Sequence, residues 1–136
     1  MDGIKKETKS LPRILLVEND KPSVDVTKYF LKEICLIDIA DNGSAALELS
    51  RQNQYPLILM DINLGSGLSG LEAAKQIRNI KGYENTAIVA LTAYASPNDK
   101  NIFLASGLTH YLAKPFNKAS ITNLVMSILD NEFDTQ

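Results

Sequence analysis

The sequence predicts an α/β fold in which a five-stranded parallel sheet carries five helices on its two faces. Short apolar runs alternate with longer segments of helical period from Arg13 onwards, the pattern of successive strand-helix units. Three of the runs, Ile14-Leu15-Leu16-Val17, Leu57-Ile58-Leu59-Met60 and Ala87-Ile88-Val89-Ala90-Leu91, are apolar without alternation, as in strands covered on both sides. Right-handed crossovers between such strands distribute the helices over both faces of the sheet.

The elements follow in order. The first strand is expected at Arg13 to Val17, and the next helix, holding Val24, Thr27 and Leu31, has Asp20 in position to cap its first turn. A second strand at Leu36 to Ala40 ends at the turn signal Asp41-Asn42-Gly43, ahead of helical Ala45 to Leu49. The third strand, Leu57 to Met60, leads into a loop with Gly65, Ser66, Gly67 and Gly70. Those residues match neither dinucleotide nor Walker spacing and read as a flexible connection. Ser69 followed by Glu72 is a capping box for the third helix, and Ser96 before Pro97 opens the fourth. Strands at Ala87 to Leu91 and Thr109 to Leu112 flank that fourth helix. In the last helix Ile121, Leu124, Val125, Ile128 and Leu129 fall at i, i+3, i+4, i+7 and i+8, a single apolar stripe. The uniformly apolar strands belong in the centre of the sheet and the other two nearer its edges.

Composition sets the bounds. With 136 residues, 45% hydrophobic and 22% charged, the chain suits one domain with a single core and is neither collagenous, low-complexity nor largely disordered. We place that domain at residues 13–131, with a polar N-terminal tail at 1–12 and a C-terminal tail at 132–136. A net charge of −2 supplies no global field for nucleic acid or an anionic membrane, so direct nucleic-acid binding is not expected. No apolar run approaches the ~18 residues of a membrane span, and no apolar segment follows Lys5, Lys6 and Lys9 as a signal peptide would require. The expectation is a cytoplasmic protein without membrane insertion. Cys35 is the only cysteine, which excludes an internal disulfide and a cysteine zinc cluster; it reads as a small buried hydrophobe.

In a doubly wound sheet, ligands and chemistry gather at the carboxyl ends of the strands. There the sequence puts Glu18 and Asn19 after the first strand, Asp61 after the third, Thr92 after the fourth, and Lys114 with Pro115 after the fifth. Any one of these is ordinarily a cap, a turn residue or a solvated charge. Together at one edge they point to a site, because polar groups have no structural reason to concentrate there.

These residues lie in stretches that resemble the receiver domains of two-component response regulators. The stretches are Ile14-Leu15-Leu16-Val17-Glu18-Asn19-Asp20, Leu59-Met60-Asp61-Ile62-Asn63-Leu64, Ser69-Gly70-Leu71-Glu72-Ala73, Ala90-Leu91-Thr92-Ala93 and Tyr111-Leu112-Ala113-Lys114-Pro115-Phe116, in family order from Arg13 to about Leu129. The resemblance implies a flavodoxin-like sheet of order 2-1-3-4-5 and a role in phosphorelay signalling. Asp61 would accept a phosphoryl group from a phosphohistidine on a histidine kinase or histidine phosphotransfer protein. Mg²⁺ would be held by Glu18, Asn19, Asp61 and the backbone carbonyl of Asn63, with Lys114 as a second countercharge and a cis peptide bond before Pro115. Thr92 and Tyr111 would be the switch, remodelling the face of the fourth helix, fifth strand and fifth helix toward a downstream protein target. On this reading the chain is not an enzyme beyond its own phosphorylation and dephosphorylation.

One departure from the family matters. Asn19 stands where a second adjacent acid normally supplies a metal-binding carboxylate, so the site is one charge less negative and Mg²⁺ binding should weaken. Asp20, one position later, is a second candidate ligand, its other role being the helix cap. His110, the only histidine, has no second ligand in the sequence and reads as structural. Tyr94, two residues beyond Thr92, is the bulky candidate to shield an aspartyl phosphate from water. Two alternatives stand beside the receiver reading: a phosphorylation-independent interaction module of the same fold, and an enzyme or flavin carrier of flavodoxin type. The latter needs a hydroxyl- and glycine-rich first loop, whereas Glu18-Asn19-Asp20-Lys21-Pro22 is acidic and glycine-free. Whether the chain stands alone or belongs to a larger regulator or hybrid kinase is left open.

Overall fold

A computed structural model describes residues 11–65, 67–93 and 96–134. The polar start Met1 to Ser10, loop residue Ser66, Tyr94 and residues 135–136 lie outside the described residues. The elements are β1 (Arg13–Val17), α1 (Lys21–Leu31), β2 (Leu36–Ala40), α2 (Gly43–Gln52), β3 (Leu57–Asp61), α3 (Gly70–Arg78), β4 (Ala87–Thr92), α4 (Pro97–Ala105), β5 (His110–Ala113) and α5 (Lys118–Asp134). All strand pairs are parallel, in the order β2-β1-β3-β4-β5, with the apolar strands inside and β2 and β5 at the edges. Among the described residues no helix is long and apolar enough to cross a membrane.

Local chemistry explains the helix starts. Asp20 accepts from the Ser23 N–H at 3.1 Å and Asn42 from the Ala45 N–H at 2.8 Å. Ser69 with Glu72, and Ser96 with Asp99, form reciprocal capping boxes, and Pro97 sits in the first turn of α4. Boundaries differ from the sequence reading by a residue or two. β3 and β4 run on to Asp61 and Thr92 because the ladder continues there, with Asp61 opposite Leu91 and Thr92 opposite Ala113. β5 starts after Thr109, whose hydroxyl takes the Ile88 N–H at 3.0 Å. α5 continues into the stretch read as a polar tail.

The sheet divides what composition presents as one core into two layers. Successive strand side chains point to opposite faces. Leu15, Val17, Ile58, Met60, Ile88 and Ala90 pack with Ala46, Leu47, Ala73, Ala74, Ile77 and Phe103 of α2, α3 and α4. Ile14, Leu16, Leu57, Leu59, Val89 and Leu91 pack with Val24 and Leu31 of α1 and with Ile121, Val125, Ile128 and Leu129 of α5. Cys35 is buried in this second layer, and burial pushes its thiol up to about 11, so it stays protonated and inert.

At the opposite end of the sheet from the strands' carboxyl termini, Arg78 closes α3. One guanidinium nitrogen donates to the carbonyls of Tyr83 and Thr86, each at 2.7 Å, and the other donates to Gly107. One side chain thus satisfies the turn before β4 and the turn before β5. Arg78→Met keeps the apolar stem and orphans these carbonyls, so it should cost about 3 kcal/mol in urea unfolding. Arg78→Lys should recover only part, because a single ammonium cannot span the same fork. A stability loss below 1 kcal/mol in Arg78→Met would contradict this role.

Candidate functional site

Register alone brings the site together. Val17 pairs with Met60, so Glu18 and Asp61 emerge side by side at the next position; Thr92 pairs with Ala113, so Lys114 follows beside it. Glu18, Asn19, Asp61, Asn63, Thr92 and Lys114 line one cleft of about 310 Å³. Tyr111 lies outside it, on the neighbouring edge strand.

The floor of the cleft is an ion triad. The Lys114 ammonium lies 3.1 Å from Glu18 Oε1 and 3.3 Å from Asp61 Oδ1. Glu18 and Asp61 are only 3% and 4% exposed, so neither carboxylate is solvated well enough to stand alone. The Asp20 N–H donates to Glu18 Oε2 at 3.2 Å and the Asn63 N–H to Asp61 Oδ1 at 3.2 Å. Burial, then the adjacent Asp61 carboxylate, raises the pKa of Glu18 against the opposing pull of Lys114. Desolvation is the largest single influence on Lys114 and would lower its pKa, but the two carboxylates together outweigh it and the net shift is upward. The Lys114–Pro115 peptide bond is cis.

Asn19 Nδ2 donates to the Leu64 carbonyl at 3.0 Å, tying the end of β1 to the loop after β3. Asp20 also lines the cleft, where its carboxylate holds the Ser23 N–H and, at 2.6 Å, the Ser23 hydroxyl, which keeps its pKa low. It caps α1 from there. Thr92 is 4% exposed, and its carbonyl accepts the Lys114 N–H at 2.8 Å. Tyr111 is 40% exposed, with Lys100 Nζ 4.4 Å from its ring centroid. It borders a groove of about 360 Å³ formed with Phe103, Leu104, Leu108 and Leu124. His110 sits on the exposed edge, its Nδ1 2.7 Å from the Thr109 hydroxyl.

Sequence reasoning missed Gly70. A Cβ built there would lie 2.4 Å from the Asp61 carbonyl oxygen and 2.9 Å from Ile62 Cα, so only glycine lets α3 start against the end of β3. The available signal was a glycine directly behind the N-cap serine of the helix that follows Asp61.

Among the described residues no three His, Cys, Asp or Glu side chains form a metal cluster. The cleft instead offers the Glu18 and Asp61 carboxylates, with Asp20 beside them, and amide and peptide oxygens. That donor set fits a hard divalent cation that retains water, and it does not fit zinc.

A family model described as the response regulator receiver domain matches residues 14–126. Among curated proteins, the chain is 38% identical over 124 residues to the transcription factor prr1 of Schizosaccharomyces pombe, covering 90% of this chain and 22% of that protein. It is 27% identical over 121 residues to the signal transduction histidine-protein kinase BarA of Escherichia coli K12, covering 88% of this chain and 13% of the kinase. The chain therefore spans less than a quarter of either relative. Among solved structures it superposes on the receiver domain of the sensor histidine kinase PA1611 of Pseudomonas aeruginosa PAO1 with a TM-score of 0.81 at 30% identity, covering 88% of this chain and 99% of that one. That structure carries a magnesium ion coordinated in its active-site cleft. The chemotaxis protein CheY4 of Vibrio cholerae gives a TM-score of 0.82 at 25% identity, covering 88% and 99%.

The raised pKa of Glu18 has a signed consequence. Between the ordinary value of 4.5 and the raised folded value, the folded state holds a proton that the unfolded state has lost, so this residue's contribution to stability falls as pH rises through that window. Metal-free Glu18→Gln has no such proton. Wild type should therefore lose stability relative to Glu18→Gln as pH is raised from 4 toward neutrality, read by urea unfolding along a pH series. Parallel curves would refute the assignment.

Proposed function

The chain belongs to the response regulator receiver domain family, and from that membership we propose that Asp61 accepts a phosphoryl group from a partner's phosphohistidine. As a receiver it acts in phosphorelay signalling and is not a conventional enzyme. The observation that supports Asp61 is its burial at the end of β3, 3.3 Å from the Lys114 ammonium and in one cleft with Thr92.

Lys114 and the Asn63 N–H both engage Asp61 Oδ1, so we assign attack to the other oxygen. A phosphorus-oxygen bond forms there as the phosphorus-nitrogen bond of the donor imidazole breaks, and the imidazole leaves carrying the electron pair and takes up a proton. A carboxylate repels incoming phosphoryl oxygens, and Lys114 supplies one countercharge as a compact ammonium. Glu18, Asp61, the Asn19 amide oxygen and the Asn63 carbonyl are the residues we assign to hold magnesium. When bound, magnesium supplies the remaining countercharge and orients the phosphoryl oxygens.

A protein donor, histidine kinase or histidine phosphotransfer protein, has to seat its phosphohistidine against this cleft. The rim offers an apolar shelf, Pro22, Val26 and Phe116, bordering a groove of about 410 Å³ that also reaches Glu18 and Lys114. Such a shelf suits the apolar surface around a donor histidine. On the far side of β5, Tyr111 and the groove between α4 and α5 are the face we assign to output, with Thr92 coupling it to the phosphoryl group. Tyr94, read as a shield for the acyl phosphate, carries no structural argument because it lies outside the described residues.

Asn19 gives the phosphorylation-independent alternative its one observation, a neutral amide in place of an acid. A single experiment separates the two. Incubated with acetyl phosphate and Mg²⁺, wild type should gain the mass of one phosphoryl group and Asp61→Asn should gain none. Labelling of Asp61→Asn to the wild-type extent would refute the acceptor, and an unlabelled wild type would favour the alternative.

A further inference from the structure

Residue 19 is four atoms of side chain with two ends, and among the described residues only the amide nitrogen finds a partner. The amide nitrogen donates to the Leu64 carbonyl at 3.0 Å, across 45 positions of sequence. One residue earlier, the Asn63 N–H donates to Asp61 Oδ1 at 3.2 Å. The Leu64 side chain is 4% exposed, anchored in the layer beneath α2 and α3. The Asn63-Leu64 segment is thus fixed at its N–H, at its following carbonyl and by a buried side chain. Immediately afterwards the backbone turns into left-handed conformation at Gly65, φ 80°, where a Cβ would lie 3.5 Å from Asn19 Nδ2.

An aspartate at 19 has the same size and no N–H donor. Its carboxylate would face the Leu64 carbonyl oxygen, and it would add a third acid beside Glu18 and Asp61. An asparagine can tie the loop through nitrogen and still present Oδ1 as a neutral acceptor.

Resting on the receiver reading above, we infer that Asn19 is a positioning residue: its amide nitrogen sets the loop that brings Asn63 to the cleft before any cation arrives. It exchanges part of the electrostatic attraction for magnesium against a loop already in place. Charge alone explains only why Mg²⁺ should bind more weakly than with an acid at this position; the tie explains what the amide does in the metal-free protein.

The test compares wild type, Asn19→Asp and Asn19→Ala without metal, by amide hydrogen exchange followed by NMR, and then titrates each with Mg²⁺. Both variants should exchange at least fivefold faster at the Asn63 amide, whose N–H is bonded to Asp61 Oδ1, with the Leu59 amide in β3 unchanged. Their Mg²⁺ affinities should diverge, Asn19→Asp binding at least tenfold more tightly than Asn19→Ala because only it gains a carboxylate. Wild-type protection at Asn63 in Asn19→Asp would overturn the inference, as would a uniform rise in exchange that includes Leu59. Acetyl phosphate labelling of the same wild-type sample judges the receiver reading separately, since the exchange result needs neither metal nor phosphoryl transfer.

Discussion

The contact on which the arrangement depends is the Lys114 ammonium set between Glu18 and Asp61. Two carboxylates, each almost wholly withdrawn from water and side by side at adjacent strand ends, are costly unless a cation offsets them. The cation comes from the far edge of the sheet, carried by β5 through the register that sets Ala113 beside Thr92. Four strands, β1, β3, β4 and β5, must therefore hold a common alignment for the triad to exist. Its net charge stays negative, which is what a site requires if it is to attract a hard cation and remain closed to a bare anion.

That alignment is held by packing on both faces. A slip of one residue in β1 or β3 would exchange the side chains facing α2 and α3 with those facing α1 and α5, so both apolar layers oppose it. Gly70 adds a local constraint. Because α3 begins against the Asp61 carbonyl, any side chain there would move the residue whose carboxylate the triad positions. Stability and site geometry are coupled here through a missing Cβ, while at the other end of the sheet the Arg78 fork secures the turns that enter β4 and β5.

Most of this fold was legible from pattern. Uniform apolar runs marked the buried central strands, and capping pairs such as Ser69 with Glu72 marked helix starts, because both signals are local. Glu18, Asp61, Thr92 and Lys114 were legible as a group because parallel strands bring their carboxyl ends to one edge. What stayed hidden depends on distant partners. The Asn19 nitrogen meets a carbonyl in the loop after β3, Gly70 is constrained by a backbone it approaches only in the folded chain, and Arg78 collects carbonyls from two turns. Asp20 was legible only as two alternatives, and the Ser23 contacts show the cap on a residue that also lines the cleft. Strand ends slipped by a residue at Asp61 and Thr92, where polar side chains continue a ladder that hydropathy alone ends early, and at Thr109, whose hydroxyl takes the Ile88 N–H just ahead of β5.

The proposed output face begins close to the site. Thr92 accepts the Lys114 N–H and pairs with Ala113, and Tyr111 is on the same face of β5 as Ala113, two residues back. Leu112, between them, points the other way into the layer beneath α1 and α5. The displacement of Thr92 proposed above would therefore act on a short stretch whose alternate side chain, Leu112, is anchored. The exposed Tyr111 ring carries the Lys100 ammonium over its face, an interaction of about 0.5–1 kcal/mol. A ligand shifts a two-state equilibrium only by the difference in its affinity for the two states. On the proposed switch, a preference of the phosphorylated site for an inward Thr92 would have only a weak Lys100 contact to offset at the ring's outer side. The strong interactions stay with the acceptor triad, and the face that would report on it is held weakly enough to respond.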